Sequence, residues 1–251
     1  MKQILKGYDD YIEYGNPYGR YKNDGTNPCI VDEYYASYIS DQLSAEPPSW
    51  DYVVLVDQTK RMAISNARNT SLSWIVKNYG PLLNASNAIP VIIQPHAFSS
   101  SKTNMTGLGN VPGFTKMISD GVNDYAEQLR KALPRSKRPI VSPVGMAFLT
   151  IWEEDYDLWK LLFIQDEMHP SIYGTYLICC VLYMTLFNHR LPDTEVTHPE
   201  NVPELFEYSR KLSGQQGFPS AADATYMRHV ARRVVLKGYV PPSFKTAAKQ
   251  Q

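Results

Sequence analysis

Hydrophobic and polar positions follow a regular order between residues 50 and 188. Short, continuously apolar runs are typical of strands buried in a parallel sheet. Such runs occupy residues 51–56, 88–94 and 139–144. Apolar positions recur at helical spacing in residues 63–83, 117–133 and 172–188. Because strands and helices alternate, the pattern predicts an α/β fold with a mostly parallel sheet and right-handed crossovers.

The rest of the chain has a weaker pattern. Glycine and proline punctuate the first 50 residues, where only a short helix over residues 31–43 is predicted. Beyond Arg190 the prolines favour short pieces, until Ser220 caps a predicted helix that runs to Leu236 with Asp223 in its first turn. We therefore expect one domain over residues 1–251, with its core in 50–188 and a helical extension over 190–251. The basic side chains of the last helix are interpreted as a solvated face: Arg228, Arg232, Arg233 and Lys237.

Composition narrows the class of partner. The 251 residues carry 25 basic and 25 acidic side chains, a balance that argues against nucleic acid or an anionic membrane surface as the main partner. The longest apolar run, residues 176–187, is shorter than the roughly 20 residues that a membrane-spanning helix needs. The three cysteines form no CxxC motif. Oligomeric state and compartment stay open, although three N-glycosylation sequons weakly favour a secretory route: Asn69, Asn84 and Asn104.

Polar residues follow each predicted strand, at the sheet edge where α/β proteins bind ligands. Asp57 and Gln58 follow the first strand, and His96 follows the second. Asp57 could contact a ligand or cap the next turn. His96 could line a site or be a satisfied structural histidine.

The strongest candidate pair is Asp166 and His169, which follow the third strand and stand three residues apart on a predicted turn. At that spacing a carboxylate can accept a hydrogen bond from Nδ1 of the imidazole, which leaves Nε2 free as a general base. The next residue, Pro170, suits the first turn of the following helix. Taken alone, an Asp-x-x-His pair is more often a structural hydrogen bond than a catalytic one.

The sequence favours a metal, cation or cofactor site less than it favours the Asp-His pair. A metal site built from Asp166, Glu167 and His169 lacks a second histidine at helical spacing. The acidic and aromatic residues of 152–159 predict a surface turn more than a cation site. No cofactor is expected.

The residues from Asp166 through His169, Pro170 and Gly174 resemble the last conserved block of the SGNH (GDSL-type) hydrolases. Residues 143–148 are similar to the segment that precedes this block in one subgroup, and residues 51–58 to the strand of the third block. The resemblance covers about residues 50–188. It implies a flavodoxin-like three-layer α/β/α sandwich and a Ser-His-Asp ester hydrolase. In this reading His169 takes the serine proton and Asp166 orients His169.

The chain departs from the family in its other motifs. No strand followed by Gly-Asp/Asn-Ser is found, and the nearest match, Gly15-Asn16-Pro17, has proline where serine belongs. We therefore expect the first strand of the family to be missing and leave the nucleophile unassigned. Val56 stands where the third-block asparagine is expected, so Gln58 is a candidate amide donor to the oxyanion. Gly25 is a candidate counterpart of the oxyanion glycine, although a plain turn explains it equally well.

Two functions follow. The first is hydrolysis of an acyl or acetyl ester on a small molecule or glycan, through Asp166 and His169. Because the serine block is absent, the chain as written would be an incomplete or inactive enzyme of this kind. The second is a noncatalytic homologue that binds a carbohydrate or acyl ligand in the same pocket.

Overall fold

The structure is a computed structural model that describes residues 5–6, 50–99, 107–189 and 217–249. These residues form an α/β fold with a small parallel sheet and many helices. They divide into two compact units. Unit 1 takes in the described parts of residues 1–93 and 119–141, and unit 2 those of residues 94–118 and 142–251. The helix predicted over 31–43 lies outside the described residues, and the single-domain organisation stays a prediction.

Within the described residues, four strands form the sheet, in the order β1-β2-β3-β4. They are β1 (Leu5–Lys6), β2 (Tyr52–Val56), β3 (Ile89–Ile93) and β4 (Ile140–Ser142). β2 pairs in parallel with both β1 and β3. The three strands predicted from the sequence are confirmed, and they are one, two and three residues shorter, in chain order, than the apolar runs that predict them. Val53, Leu55, Val91 and Ile92 are buried at the centre of the sheet.

β1 corrects the expectation that the sheet begins without a strand ahead of β2. Leu5 and Lys6 pair in parallel with Leu55 and Val56. An unpaired edge of β2 would leave backbone N–H and C=O groups without partners, so even a two-residue strand is favourable there. With so few apolar residues, this segment has no pattern by which a strand can be recognised.

The helix predicted over residues 63–83 is instead a series of shorter pieces. They are α1 (Thr59–Ala63), α2 (Ser65–Trp74), a π-helical turn (Ile75–Tyr79) and α3 (Gly80–Ala85). Ile64 has an extended backbone that separates α1 from α2. Gly80 and Pro81 start a helix rather than end one, because proline fits the first turn, where its missing N–H is not needed.

The long helix α4 (Val111–Ala132) begins six residues before its predicted start. The Asn110 side chain accepts a hydrogen bond from the Gly113 N–H at 2.9 Å, and Pro112 fits the first turn. Its later turns belong to unit 1, where the Tyr125 hydroxyl donates to Asp57 Oδ2 at 2.5 Å. Asp57 Oδ1 accepts from the Gln58 N–H at 2.7 Å. Asp57 therefore ties the end of β2 to α4.

Unit 2 is mainly helical. Its elements are α5 (Val144–Glu154), α6 (Tyr156–Leu161), α7 (Ile172–Phe187), α8 (Ala221–Leu236) and α9 (Pro242–Ala247). α5, α7 and α8 pack against one another. The predictions of α7 and of α8 with its Ser220 cap are confirmed, since the Ser220 hydroxyl accepts from the Asp223 N–H at 3.1 Å. No helix of the described residues is long and apolar enough to cross a membrane.

Most of the acidic segment 152–159 is helical rather than a surface turn, and its carboxylates have hydrogen-bond partners. Glu154 forms two hydrogen bonds with Arg233, at 2.7 and 2.8 Å, and Asp155 caps α6. Arg228 donates to the Tyr176 hydroxyl at 2.9 Å. The basic face of α8 is therefore not simply solvated: it fastens α8 to α5 and α7, which local sequence spacing could not indicate.

Burial raises the pKa of Asp57 above its ordinary value, against the lowering effect of its hydrogen bonds to Tyr125 and Gln58. The folded state therefore holds this proton to higher pH than the unfolded state does. The free energy of unfolding should fall as pH rises from about 4 through the raised pKa. In Asp57→Asn this decline should shrink, as measured by urea unfolding between pH 4 and pH 8. An equally steep decline in the variant would contradict a buried, protonatable Asp57.

Candidate functional site

A short loop of unit 2, residues 163–170, carries the Asp166–His169 pair. Phe163 and Pro170 form an antiparallel bridge at its base, and the Ile164 N–H donates to the His169 carbonyl at 3.0 Å. Glu167 has a left-handed backbone, with φ of 59°, and its N–H donates to the Ile164 carbonyl at 2.9 Å. The loop is therefore closed by backbone hydrogen bonds.

The start of α7 fixes this loop from its carboxyl end. The Ser171 hydroxyl caps α7 by accepting from the N–H groups of Tyr173 and Gly174, at 3.1 and 3.3 Å. A Cβ atom on Gly174 would lie 2.3 Å from the Leu162 carbonyl oxygen, so only glycine permits this close approach. The sequence predicted Pro170 in the first turn of α7, but the structure places it before the helix. It precedes the capping serine and pairs with Phe163 instead.

Asp166 uses its two carboxylate oxygens differently. Oδ1 accepts from the N–H groups of Met168 and His169, at 2.8 and 2.9 Å. Oδ2 accepts a short hydrogen bond from Nδ1 of the His169 ring. The backbone bonds hold the carboxylate in place, and the carboxylate in turn fixes the imidazole. The pairing predicted from the Asp-x-x-His spacing is thus present in the structure.

The environment keeps the Asp166 carboxylate ionised and leaves the His169 side chain exposed to solvent. Partial burial of Asp166 opposes ionisation, but the bonds from the His169 side chain and from the two N–H groups together lower its pKa. The His169 side chain is 70% exposed. With Nδ1 occupied by Asp166, Nε2 is the nitrogen left to take or return a proton.

His96 lies in the same unit, within an aromatic surround. Its ring stacks on Phe148 with centroids 4.4 Å apart and meets the edge of Phe163 at 5.4 Å. Phe163 is also the residue that closes the Asp166–His169 loop. Three residues beyond His96, the Ser99 N–H donates to the Glu167 carbonyl at 3.0 Å. The segment that follows β3 therefore lies against the loop of the Asp-His pair.

The chemical state of His96 follows from its contacts. Nδ1 lies 3.1 Å from the Ala97 carbonyl, an acceptor only, so Nδ1 carries the proton and Nε2 is an acceptor. Burial lowers the pKa of His96 to about 4, against the raising effect of the Ala97 bond. The charges of His169 and Asp166 also act on it, in opposite directions. His96 is therefore a neutral imidazole beside the Asp-His pair.

The other sequence candidates are not part of the described residues of unit 2. Asp57 and Gln58 belong to unit 1, where Asp57 bonds to Tyr125 and the Gln58 side chain is exposed. Gly25 lies outside the described residues. Among the residues predicted from the sequence, the structure brings His96, Asp166 and His169 together. Phe148, Phe163 and Ser99 were not predicted, because aromatic stacking and a backbone hydrogen bond leave no pattern in a single sequence.

In the described part of the chain, no group of three His, Cys, Asp or Glu side chains is placed to hold a metal ion. Comparison with known proteins gives no further lead: no protein-family model, curated protein or solved structure matches the chain.

Burial of neutral His96 should lower the free energy of unfolding at acid pH. Its folded pKa lies below its unfolded value of about 6.5, so the unfolded state binds more protons between those values. The free energy of unfolding should fall as pH drops from about 6.5 to about 4, by a His96 contribution of the order of 3 kcal/mol at most. His96→Phe, which keeps a ring against Phe148, should lose this contribution. Equal pH profiles for the two proteins, measured by urea unfolding, would contradict it.

The Asp166 bond should fix the tautomer of His169. In the native protein, ¹⁵N chemical shifts of the neutral His169 ring should report a proton on Nδ1. In Asp166→Ala this preference should be lost, while His229, which is exposed on α8, should keep its spectrum and serves as the internal control. An unchanged His169 spectrum would show that Asp166 does not set the state of the ring.

Proposed function

We propose that this protein is an ester hydrolase of the SGNH (GDSL-type) kind, with His169 as general base and Asp166 as its orienting carboxylate. The observation that carries the proposal is an ionised carboxylate, held by two backbone N–H groups, bonded to Nδ1 of an exposed imidazole. In a serine hydrolase this arrangement activates a hydroxyl at Nε2 and stabilises the imidazolium that forms.

Two features of the fold support the family assignment. The Asp-x-x-His-Pro residues lead into α7 through Gly174, the glycine of the resembling motif, and only glycine fits beside the Leu162 carbonyl. The sheet has parallel strands, as a flavodoxin-like three-layer sandwich requires. The expected substrate is an acyl or acetyl ester of a small molecule or a glycan, since those esters match the reaction class of the family.

His169 would act twice in the reaction. It takes the proton of the attacking hydroxyl as the tetrahedral intermediate forms, and it gives that proton to the departing alcohol. Asp166 stays ionised throughout and stabilises the imidazolium. Its lowered pKa keeps it in this state at neutral pH. A positive charge on buried His96 would oppose the imidazolium, so a neutral His96 favours this step.

The test is hydrolysis of p-nitrophenyl acetate and of acetylated oligosaccharides by folded protein. His169→Ala should lower kcat/KM by about 10²–10⁴-fold, because general acid–base catalysis contributes an effect of that size. The matched control is His229→Ala, which should leave turnover unchanged. Circular dichroism should verify that both variants are folded.

Equal turnover in the wild type and His169→Ala would overturn the proposal. A folded wild-type protein that retains these ligands without hydrolysing them would favour the noncatalytic binding function instead.

A further inference from the structure

Two buried polar side chains of unit 2, Gln94 and His96, each keep one polar atom free of protein hydrogen bonds. They follow β3 along the chain and are 2% and 7% exposed. Within the described residues, the buried amide nitrogen Nε2 of Gln94 has no hydrogen-bond partner. His96 uses Nδ1 for the Ala97 carbonyl, and its Nε2 has no partner in the described part of the chain. Since buried polar groups are nearly always hydrogen-bonded, these two atoms are candidates to bind a ligand.

Both side chains face α5. The Gly145 N–H donates to the Gln94 carbonyl at 2.9 Å, and a Cβ atom on Gly145 would lie 3.4 Å from Cδ of the Gln94 side chain. The His96 ring stacks on Phe148, with centroids 4.4 Å apart. Gly145 and Phe148 are three residues apart on α5, so they lie on the same face of the helix. The Gln94 amide and the His96 imidazole therefore lie about one helical turn apart along one face of α5.

His96 also contacts the base of the loop that carries the Asp-His pair. Its ring meets the edge of Phe163, with centroids 5.4 Å apart. Phe163 forms a bridge with Pro170, the residue directly after His169. The charges of His169 and Asp166 both act on the pKa of His96. A ligand group bound to His96 would therefore lie beside this loop, at the carboxyl end of β3, where α/β proteins bind ligands.

A ligand group that contacts both atoms must play two roles. Nε2 of Gln94 donates a hydrogen bond, whereas Nε2 of neutral His96 accepts one. A hydroxyl group can accept from Gln94 and donate to His96 at the same time. An ionised carboxylate cannot donate to His96, and an ammonium group cannot accept from Gln94. The two atoms together therefore favour an uncharged hydroxyl.

We propose that Gln94 and His96 form a hydroxyl-binding subsite that sets the substrate preference of the hydrolase. This inference rests on the proposed hydrolase function. An acetyl group carries no hydroxyl, so in an acetyl ester the bound hydroxyl belongs to the alcohol part. The substrate class is then an acetylated polyol or sugar that keeps a free hydroxyl near the ester. Gln94 and His96 position this substrate and transfer no proton in the reaction.

The test compares two acetate esters that differ in one group. Ethylene glycol monoacetate carries a terminal hydroxyl where n-propyl acetate carries a methyl group. Folded wild-type protein should hydrolyse the hydroxyl-bearing ester with a kcat/KM about 10- to 100-fold higher, because the methyl group leaves both polar atoms unpaired. Equal kcat/KM values for the two esters would overturn the subsite.

Variants assign the preference to the two side chains. His96→Phe keeps a ring against Phe148 but has no acceptor, and Gln94→Met keeps a side chain of similar length but has no donor. Each should reduce the preference for the hydroxyl-bearing ester by about 10-fold. The matched control is Thr150→Val, also on α5. The Thr150 hydroxyl bonds to the Met146 carbonyl of its own helix at 2.8 Å, so this variant should keep the wild-type preference.

The outcomes separate the subsite from the function on which it rests. Hydrolysis that requires His169 but keeps its full preference in His96→Phe and Gln94→Met would overturn the subsite and leave the hydrolase standing. Turnover of p-nitrophenyl acetate without turnover of ethylene glycol monoacetate would do the same. Wild-type protein that is folded but hydrolyses none of these esters would overturn both. If neither variant folds, the wild-type comparison still decides, since the subsite requires the preference.

Discussion

The close contact between Gly174 and the Leu162 carbonyl is the constraint on which the site depends. It sets the start of α7 directly against Leu162, the residue at the end of α6. With both ends of residues 163–170 fixed in this way, backbone bonds can close the loop and orient the Asp166 carboxylate. A single added methyl group at position 174 would require the helix start or Leu162 to move, and the imidazole would move with them. The chemistry of the exposed ring thus depends on packing at a buried glycine.

The two histidines of the site show how environment divides one residue type into two states. His169 is exposed and bonded to an ionised carboxylate, so it can exchange a proton with bound groups. His96 is surrounded by Phe148 and Phe163, and burial keeps it neutral down to about pH 4. His169 is suited to proton transfer, and His96 is suited to accepting a hydrogen bond where water is excluded. Because His96 stays neutral, it adds no positive charge beside the Asp166–His169 pair.

The sequence predicted the elements that have strong periodic patterns. The strands β2, β3 and β4, the helix α7 and the capped helix α8 follow from runs of apolar residues and from Ser220. It failed where the signal is local backbone geometry. Ile64 has an extended backbone that interrupts a run with apolar residues at helical spacing. Pro81 was predicted to end a helix, but it lies in the first turn of α3. Residues 152–159 are mostly acidic and aromatic, so their composition did not indicate that α5, whose earlier turns are buried, continues to Glu154.

For the site, the Asp-x-x-His spacing was enough to predict a contact between residues three apart. Long-range contacts could not be predicted, because nothing in a single sequence relates Ser99 to Glu167 or His96 to Phe148. The resemblance to a hydrolase family added roles for Asp166 and His169.

The Asp166–His169 pair also differs from the rest of the site in how far apart its members are along the chain. All of its bonds join residues within four positions of one another, whereas Ser99 and Glu167 are about 70 positions apart. Closing a short loop costs little chain entropy and takes well under a microsecond, while a contact between residues about 70 positions apart closes a long loop and forms more slowly. The Asp166–His169 pair is therefore a local structure that re-forms readily after a fluctuation, whereas its loop meets the segment 96–99 through a contact that is slower to form.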